Sequence, residues 1–94
     1  MVSIDFEPTP NPNSLKFTAS GRAFIPSGME SFNAAEQAAG HPLGAPLFEI
    51  EGVTNVFVLP QFLTVTKRPD ADWDDVIPAI EGVLQSHFDG SGQP

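Results

Sequence analysis

The sequence predicts an α+β domain: a mostly antiparallel sheet of about four strands with helices packed on one face. Three observations carry that prediction. Apolar and polar residues alternate on both sides of Pro60-Gln61, as they do in a hairpin. Two shorter alternating runs, one through Ile4 and Phe6 and one through Leu15 and Phe17, lie near the N-terminus. Near the C-terminus, Trp73, Val76, Ile77, Ile80, Val83, Leu84 and Phe88 recur at three- and four-residue steps, the pattern of a helix with one buried stripe.

The chain has 94 residues, which allows one domain, expected over 1–88 with a flexible tail at 89–94. A chain this short buries only about two-thirds of its unfolded surface, so its core is small. Twelve acidic against four basic side chains set a net charge of −8. That balance argues against nucleic acid, whose phosphates demand a basic footprint, and against anionic membrane surfaces. There is no cysteine, which excludes disulfides, thiol catalysis, zinc–thiolate sites and thiolate-bound clusters within this sequence. No apolar run approaches the roughly 20 residues of a spanning helix. No basic segment followed by an apolar one opens the chain, so a cytoplasmic location is the default expectation.

Taken in order, Val2, Ile4 and Phe6 alternate with Ser3, Asp5 and Glu7, as in a half-buried strand. Pro8-Thr9-Pro10-Asn11-Pro12-Asn13 follows as a stiff loop, because three prolines remove three amide donors and hold their predecessors extended. Ser14 begins a second alternating run with Leu15 and Phe17 on one side and Lys16 on the other, making a strand–loop–strand unit. The next stretch is punctuated by Gly21, Pro26 and Gly28, with Phe24-Ile25 as a third short extended piece. Asn33, with Glu36 three positions on, has the pattern of a capping box before a helix at 34–39, stopped by Gly40 and Pro42. Pro46 suits the first turn of a second short helix carrying Leu47, Phe48 and Ile50 up to Gly52.

The hairpin then turns at Leu59-Pro60-Gln61-Phe62. Proline cannot take the positive φ of the tightest hairpin turns, so a four-residue loop is expected. The resulting register sets Val58 opposite Leu63 and Val56 opposite Val65 on a core face, with Asn55, Phe57, Thr64 and Thr66 on the other. A three-residue turn would instead bury Phe57 and Leu59. Asp72 is the expected cap of the last helix, with Asp74 and Asp75 in its first turn, where the helix dipole favours negative charge. Pro78 in the second turn should cost one backbone hydrogen bond and bend the helix there.

Few constellations carry chemistry. Asp70, Asp72, Asp74 and Asp75 could be read as a hard-cation site, but they lack the mid-loop glycine and terminal glutamate of an EF-hand. Capping explains three of them without a ligand. His41 and His87 sit near expected helix C-termini, where no partner is needed. No serine stands in a nucleophile elbow and no glycine-rich phosphate loop is present. The stiff loop with Asn11, Pro12 and Asn13 can present backbone groups at low entropic cost, or be a well-made turn. Phe57, Leu59 and Phe62 form a partner-binding apolar patch unless the 24–25 segment or the 34–39 helix covers them.

Thr9-Pro10-Asn11-Pro12-Asn13-Ser14-Leu15-Lys16-Phe17 resembles the opening motif of the N-terminal domain of Nfu/NifU-like iron–sulfur cluster scaffold proteins. Leu47-Phe48-x-Ile50-x-Gly52-Val53-x-x-Val56-Phe57, Phe62-Leu63-Thr64-Val65-Thr66-Lys67 and Asp72-Trp73 continue the likeness in the same order, from Phe6 to Phe88. The resemblance implies helices packed on a mostly antiparallel sheet. It also implies a cluster held by a Cys-x-x-Cys motif in a separate C-terminal domain, a role that no position of this cysteine-free sequence can inherit.

What carries over is an accessory part in cluster assembly or delivery. The expectation is a non-enzymatic interaction module with no catalytic residue, no metal ligand and no cofactor of its own. Its partner would be an iron–sulfur scaffold, carrier or client protein, met through Asn11, Pro12, Asn13, Phe57, Leu59 and Phe62. The alternatives are a small metal-binding or catalytic domain built on the Asp70, Asp72, Asp74 and Asp75 acids, and a structural dimerisation domain.

Overall fold

A computed structural model describes residues 3–90, with side chains through Phe88. Strands β1 (Ile4–Pro8), β2 (Ser14–Ala19), β3 (Glu30–Phe32), β4 (Val53–Val58) and β5 (Leu63–Lys67) form one sheet in the order β1-β2-β5-β4-β3. Every neighbouring pair is antiparallel. Helices α1 (Gly44–Phe48) and α2 (Trp73–Gly90) complete an α+β fold. Val2 and residues 91–94, parts of the expected first strand and tail, lie outside the described residues.

The hairpin register is the one the alternation implies. Val56 faces Val65 and Val58 faces Leu63, and all four side chains are fully buried. Residues 59–62 make the loop, closed by the Leu59 N–H donating to the Phe62 carbonyl at 2.8 Å. A bulge between Val53 and Asn55 leaves Thr54 outside the ladder, its hydroxyl donating to the Thr66 carbonyl at 3.2 Å. Leu15 and Phe17 on β2 extend the same buried face, and Val76, Ile80, Leu84 and Phe88 of α2 pack over it. Leu43, which precedes α1, and Leu47 within it join the same core, with Phe24, Phe32 and Ala38.

The sheet has five strands rather than about four. The extra one is β3, and it is not the Phe24-Ile25 piece. Phe24 is a core plug instead: it is buried, its ring lies 5.6 Å from that of Phe88, and its N–H is satisfied by the Pro60 carbonyl at 3.1 Å. The edge pairing falls to Glu30, Ser31 and Phe32 opposite Val58, Phe57 and Val56. Three residues show no readable period.

The helix expected over 34–39 is a single 3-10 turn at Ala35–Gln37. Asn33 does not cap it. Its side chain binds the Asn55 amide, and its N–H donates to Gln37 Oε1 at 2.7 Å, so Gln37 rather than Glu36 closes the turn. The stretch before Gly40, whose φ is +83°, is too short to meet the cost of a helix nucleus. Gly44 shows why α1 sits so close: a Cβ there would lie 2.9 Å from the Ala38 Cβ and 3.0 Å from the Phe32 ring.

The last helix starts as expected. Asp72 Oδ1 accepts the Asp74 N–H at 2.9 Å, and Asp74 and Asp75 occupy the first turn. The helix runs unbroken through Pro78 and continues through Asp89 to Gly90. Pro78 and Asp74, whose carbonyl loses its amide donor, are both exposed.

Candidate functional site

Helices cover one face of the sheet. Strand alternation therefore puts Asp5 and Glu7, Lys16 and Thr18, Thr64 and Thr66, and Asn55 and Phe57 on the other. One row crosses all five strands: Glu7 opposite Lys16, Lys16 opposite Thr64, Thr64 opposite Phe57, Phe57 opposite Ser31. At the hairpin tip Phe62 joins it, its ring 6.4 Å from that of Phe57. The Lys16 ammonium lies 4.9 Å over the Phe62 ring.

Phe57, Leu59 and Phe62 are all partly exposed. The segment at 24–25 does not cover the aromatic pair, because Phe24 packs on Phe88 on the helix side. Among the described residues, the two large apolar side chains that are most exposed, Phe6 and Met29, lie elsewhere, on β1 and just before β3.

The stiff loop is held from three directions. Thr9 Oγ1 accepts the Asn11 N–H at 3.1 Å, and Asn11 Oδ1 accepts the Asn13 N–H at 2.9 Å. The Trp73 indole N–H donates to the Pro12 carbonyl at 3.1 Å. The Lys67 N–H donates to the Asn13 carbonyl at 2.8 Å, and its ammonium donates to Asn13 Oδ1 at 3.1 Å.

Lys67 is buried, 7% exposed, with a second bond to the Arg68 carbonyl at 3.2 Å and the Trp73 ring 5.5 Å away. Beside it the Ser14 and Thr66 hydroxyls meet at 2.7 Å. Asn11 and Pro12 remain exposed on this rigid support. Lys67 and Trp73 are the positioning residues that sequence reasoning missed. Both stand inside motifs that carry the family resemblance, but nothing in the linear order aims them at the loop.

The two groups of candidate residues do not meet. Asn11, Pro12 and Asn13 sit beside Lys67, the last residue of β5, whereas Phe62 precedes its first residue, Leu63. They mark opposite ends of the strand.

The acidic group does not converge either. Asp70 pairs with Arg68 Nε at 3.3 Å, Asp72 caps α2, and Arg68 also reaches Glu51 at 3.8 Å. Among the described residues no three His, Cys, Asp or Glu side chains come together as a metal site.

His41 is a cap, at the start of α1 rather than the end of a helix. Its Nδ1 accepts the Gly44 N–H at 2.9 Å and the Leu43 N–H at 3.2 Å. His87 lies edge-on to Phe88 at 5.1 Å. Burial, and next the charge of His41, hold the His87 pKa below its ordinary value. No helix among the described residues is long and apolar enough to cross a membrane.

Comparison with known proteins places this geometry. The family model described as the scaffold protein Nfu/NifU N terminal matches residues 4–92. The chain belongs to the Nfu/NifU N-terminal family. It is 40% identical over 91 residues to NifU-like protein 5, mitochondrial, of Arabidopsis thaliana, covering 97% of this chain and 32% of that protein. It is 40% identical over 92 residues to the NFU1 iron-sulfur cluster scaffold homolog, mitochondrial, of Homo sapiens, covering 97% of this chain and 35% of that protein. This Nfu N-terminal chain thus spans about a third of the length of these relatives.

The solution structure of a NifU-like protein from Saccharomyces cerevisiae shares the fold, with a TM-score of 0.83 at 23% identity over 95% of this chain and 80% of that one. The crystal structure of protein SAV1430 from Staphylococcus aureus matches with a TM-score of 0.69 at 26% identity, over 85% of this chain and 94% of that one.

Proposed function

We propose that this Nfu N-terminal domain serves iron–sulfur cluster assembly or delivery as a non-enzymatic docking module that meets partner proteins and holds no cluster itself. The relatives named as iron-sulfur cluster scaffolds support the process. The absence of cysteine supports the division of labour, because thiolates are the usual cluster ligands and two histidines with scattered carboxylates are poor substitutes.

The observation that carries the docking role is the aromatic pair Phe57 and Phe62, left partly exposed on the sheet face that no described helix covers. Aromatic anchors of this kind supply a large share of interface energy. The partner is a scaffold, carrier or client of the same process, with the Asn11, Pro12 and Asn13 loop as a second contact.

Two experiments test the reading. Anaerobic reconstitution with iron and sulfide should leave the protein colourless in visible absorption; a stable brown product with one cluster per chain overturns it. In cells lacking this protein, the activity of cluster-dependent enzymes should fall. Wild type should restore it, and a folded Phe57→Ala/Phe62→Ala variant should not. Unchanged enzyme activities without the protein would remove the link to cluster assembly.

A further inference from the structure

We propose that the open sheet face takes a basic partner segment, with an apolar side chain seated against Phe57, Leu59 and Phe62 and an arginine or lysine reaching Glu7 and Asp5. This rests on the docking role above and adds the chemistry of the occupant. Lys16 sets the charge pattern of this face. It stands directly opposite Glu7 on neighbouring strands, a placement in which oppositely charged side chains commonly pair. It does not pair with Glu7. Its ammonium turns the other way, onto the Phe62 ring at 4.9 Å.

Glu7 and Asp5 are exposed, and no described cation is bonded to either. Among the described residues, the basic side chains other than Lys16 are engaged elsewhere. Arg22 donates to the Phe88 carbonyl at 3.1 Å and lies over the Phe88 ring, Lys67 is buried against Asn13, and Arg68 is paired with Glu51 and Asp70. With four basic side chains against twelve acidic ones and a net charge of −8, the face carries an aromatic pair on the β4–β5 side and two carboxylates without an ion pair on edge strand β1, with Lys16 of β2 between them.

An acidic partner would meet repulsion from those carboxylates and from the whole chain. A basic one gains from both, in contact and in the rate of encounter. The same sign excludes nucleic acid. The Lys16 ammonium lies over the Phe62 ring and yields it to the partner's apolar side chain, since an exposed contact of this kind is weak.

The test uses two short synthetic peptides with the same leucine and phenylalanine anchors, one carrying arginines between them and the other glutamates. Each is titrated into isotope-labelled protein and followed by amide shifts. The arginine peptide should give saturable shifts at Glu7, Lys16, Phe57 and Phe62, weakened several-fold at about 0.5 M salt, where screening is strong. Asp5→Asn/Glu7→Gln should weaken it several-fold, and Glu49→Gln, an exposed acid of the helix layer, should not.

Equal binding of the glutamate peptide, saturable shifts confined to other surfaces, no saturable binding of the arginine peptide, or an equal loss from Glu49→Gln would each overturn the proposal. None of these readouts involves cluster chemistry. A failure here leaves the cellular enzyme test standing, and a failure there leaves the peptide preference standing.

Discussion

The Trp73 indole N–H donates to the Pro12 carbonyl at 3.1 Å across 61 positions of sequence, tying the start of α2 to the loop between β1 and β2. Trp73→Phe keeps an aromatic ring and removes that donor. Pro12 is exposed, so water can replace the lost bond, and the expected cost is about 1 kcal/mol in a denaturant melt. Amide exchange at Asn11 and Asn13 should quicken more than at β4. An unchanged exchange pattern would show that the Trp73 bond does not hold the loop.

Removing the Lys67 ammonium should be costlier. Lys67→Met keeps most of the buried stem and deletes two hydrogen bonds, leaving Asn13 Oδ1 and the Arg68 carbonyl without that donor. A loss of roughly 1–3 kcal/mol is expected. Lys67→Met stability equal to wild type would mean that these oxygens are solvated and the buried ammonium contributes nothing net.

The two faces of the hairpin should respond differently to truncation. Val58 is fully buried, so Val58→Ala should destabilise by roughly 1–3 kcal/mol through lost burial and the cavity left behind. Phe62 is partly exposed on the open face, and Phe62→Ala should cost the fold less while weakening partner capture. Denaturant melts of both variants decide it. A larger loss for Phe62→Ala would place its ring in the core and remove the docking face.

Gly44 is a close-approach glycine. A methyl group there meets Ala38 at 2.9 Å and the Phe32 ring at 3.0 Å, both buried side chains with little room to move. Gly44→Ala should destabilise by about 1–3 kcal/mol, the usual cost of overpacking. Gly82→Ala is the control, because nothing lies within 4 Å of its Cβ position and alanine favours a helix. Equal stability of the two variants would contradict the packing.

His87 sets a pH dependence. Its folded-state pKa is lowered from 6.5, by burial first and by His41 second. A lowered histidine pKa means that the unfolded chain takes up the proton first. The contribution is therefore present above pH 6.5 and is lost as pH falls from there through the folded value. Thermal melts across that window should show a steeper loss for wild type than for His87→Gln. Identical profiles would show that the imidazole is equally free in both states.

The alternating runs by themselves specify the hairpin. Val56, Val58, Leu63 and Val65 share a face in the register of a four-residue loop, and proline at position 60 favours that loop. The bond between Leu59 and Phe62 then closes the three-residue alternative. For α2, an apolar stripe and an aspartate cap specify start and orientation. These signals are local: each is carried by residues within a few positions of one another, and the side-chain period reports which face is buried.

The remaining features depend on partners far away in the chain. Glu30, Ser31 and Phe32 become a strand only because β4 offers an edge, and Asn33 abandons its capping role because Asn55 of β4 takes its side chain. Phe24 leaves the aromatic pair uncovered because its ring is drawn to Phe88 on the opposite side of the sheet. The loop with Asn11, Pro12 and Asn13 is rigid because Lys67 and Trp73 reach it from the ends of two later elements. Composition and periodicity specify which side chains must leave water. Which polar atom then satisfies which is decided by chain closure, since an unpaired buried group is costly and the nearest partner in space is seldom the nearest in sequence.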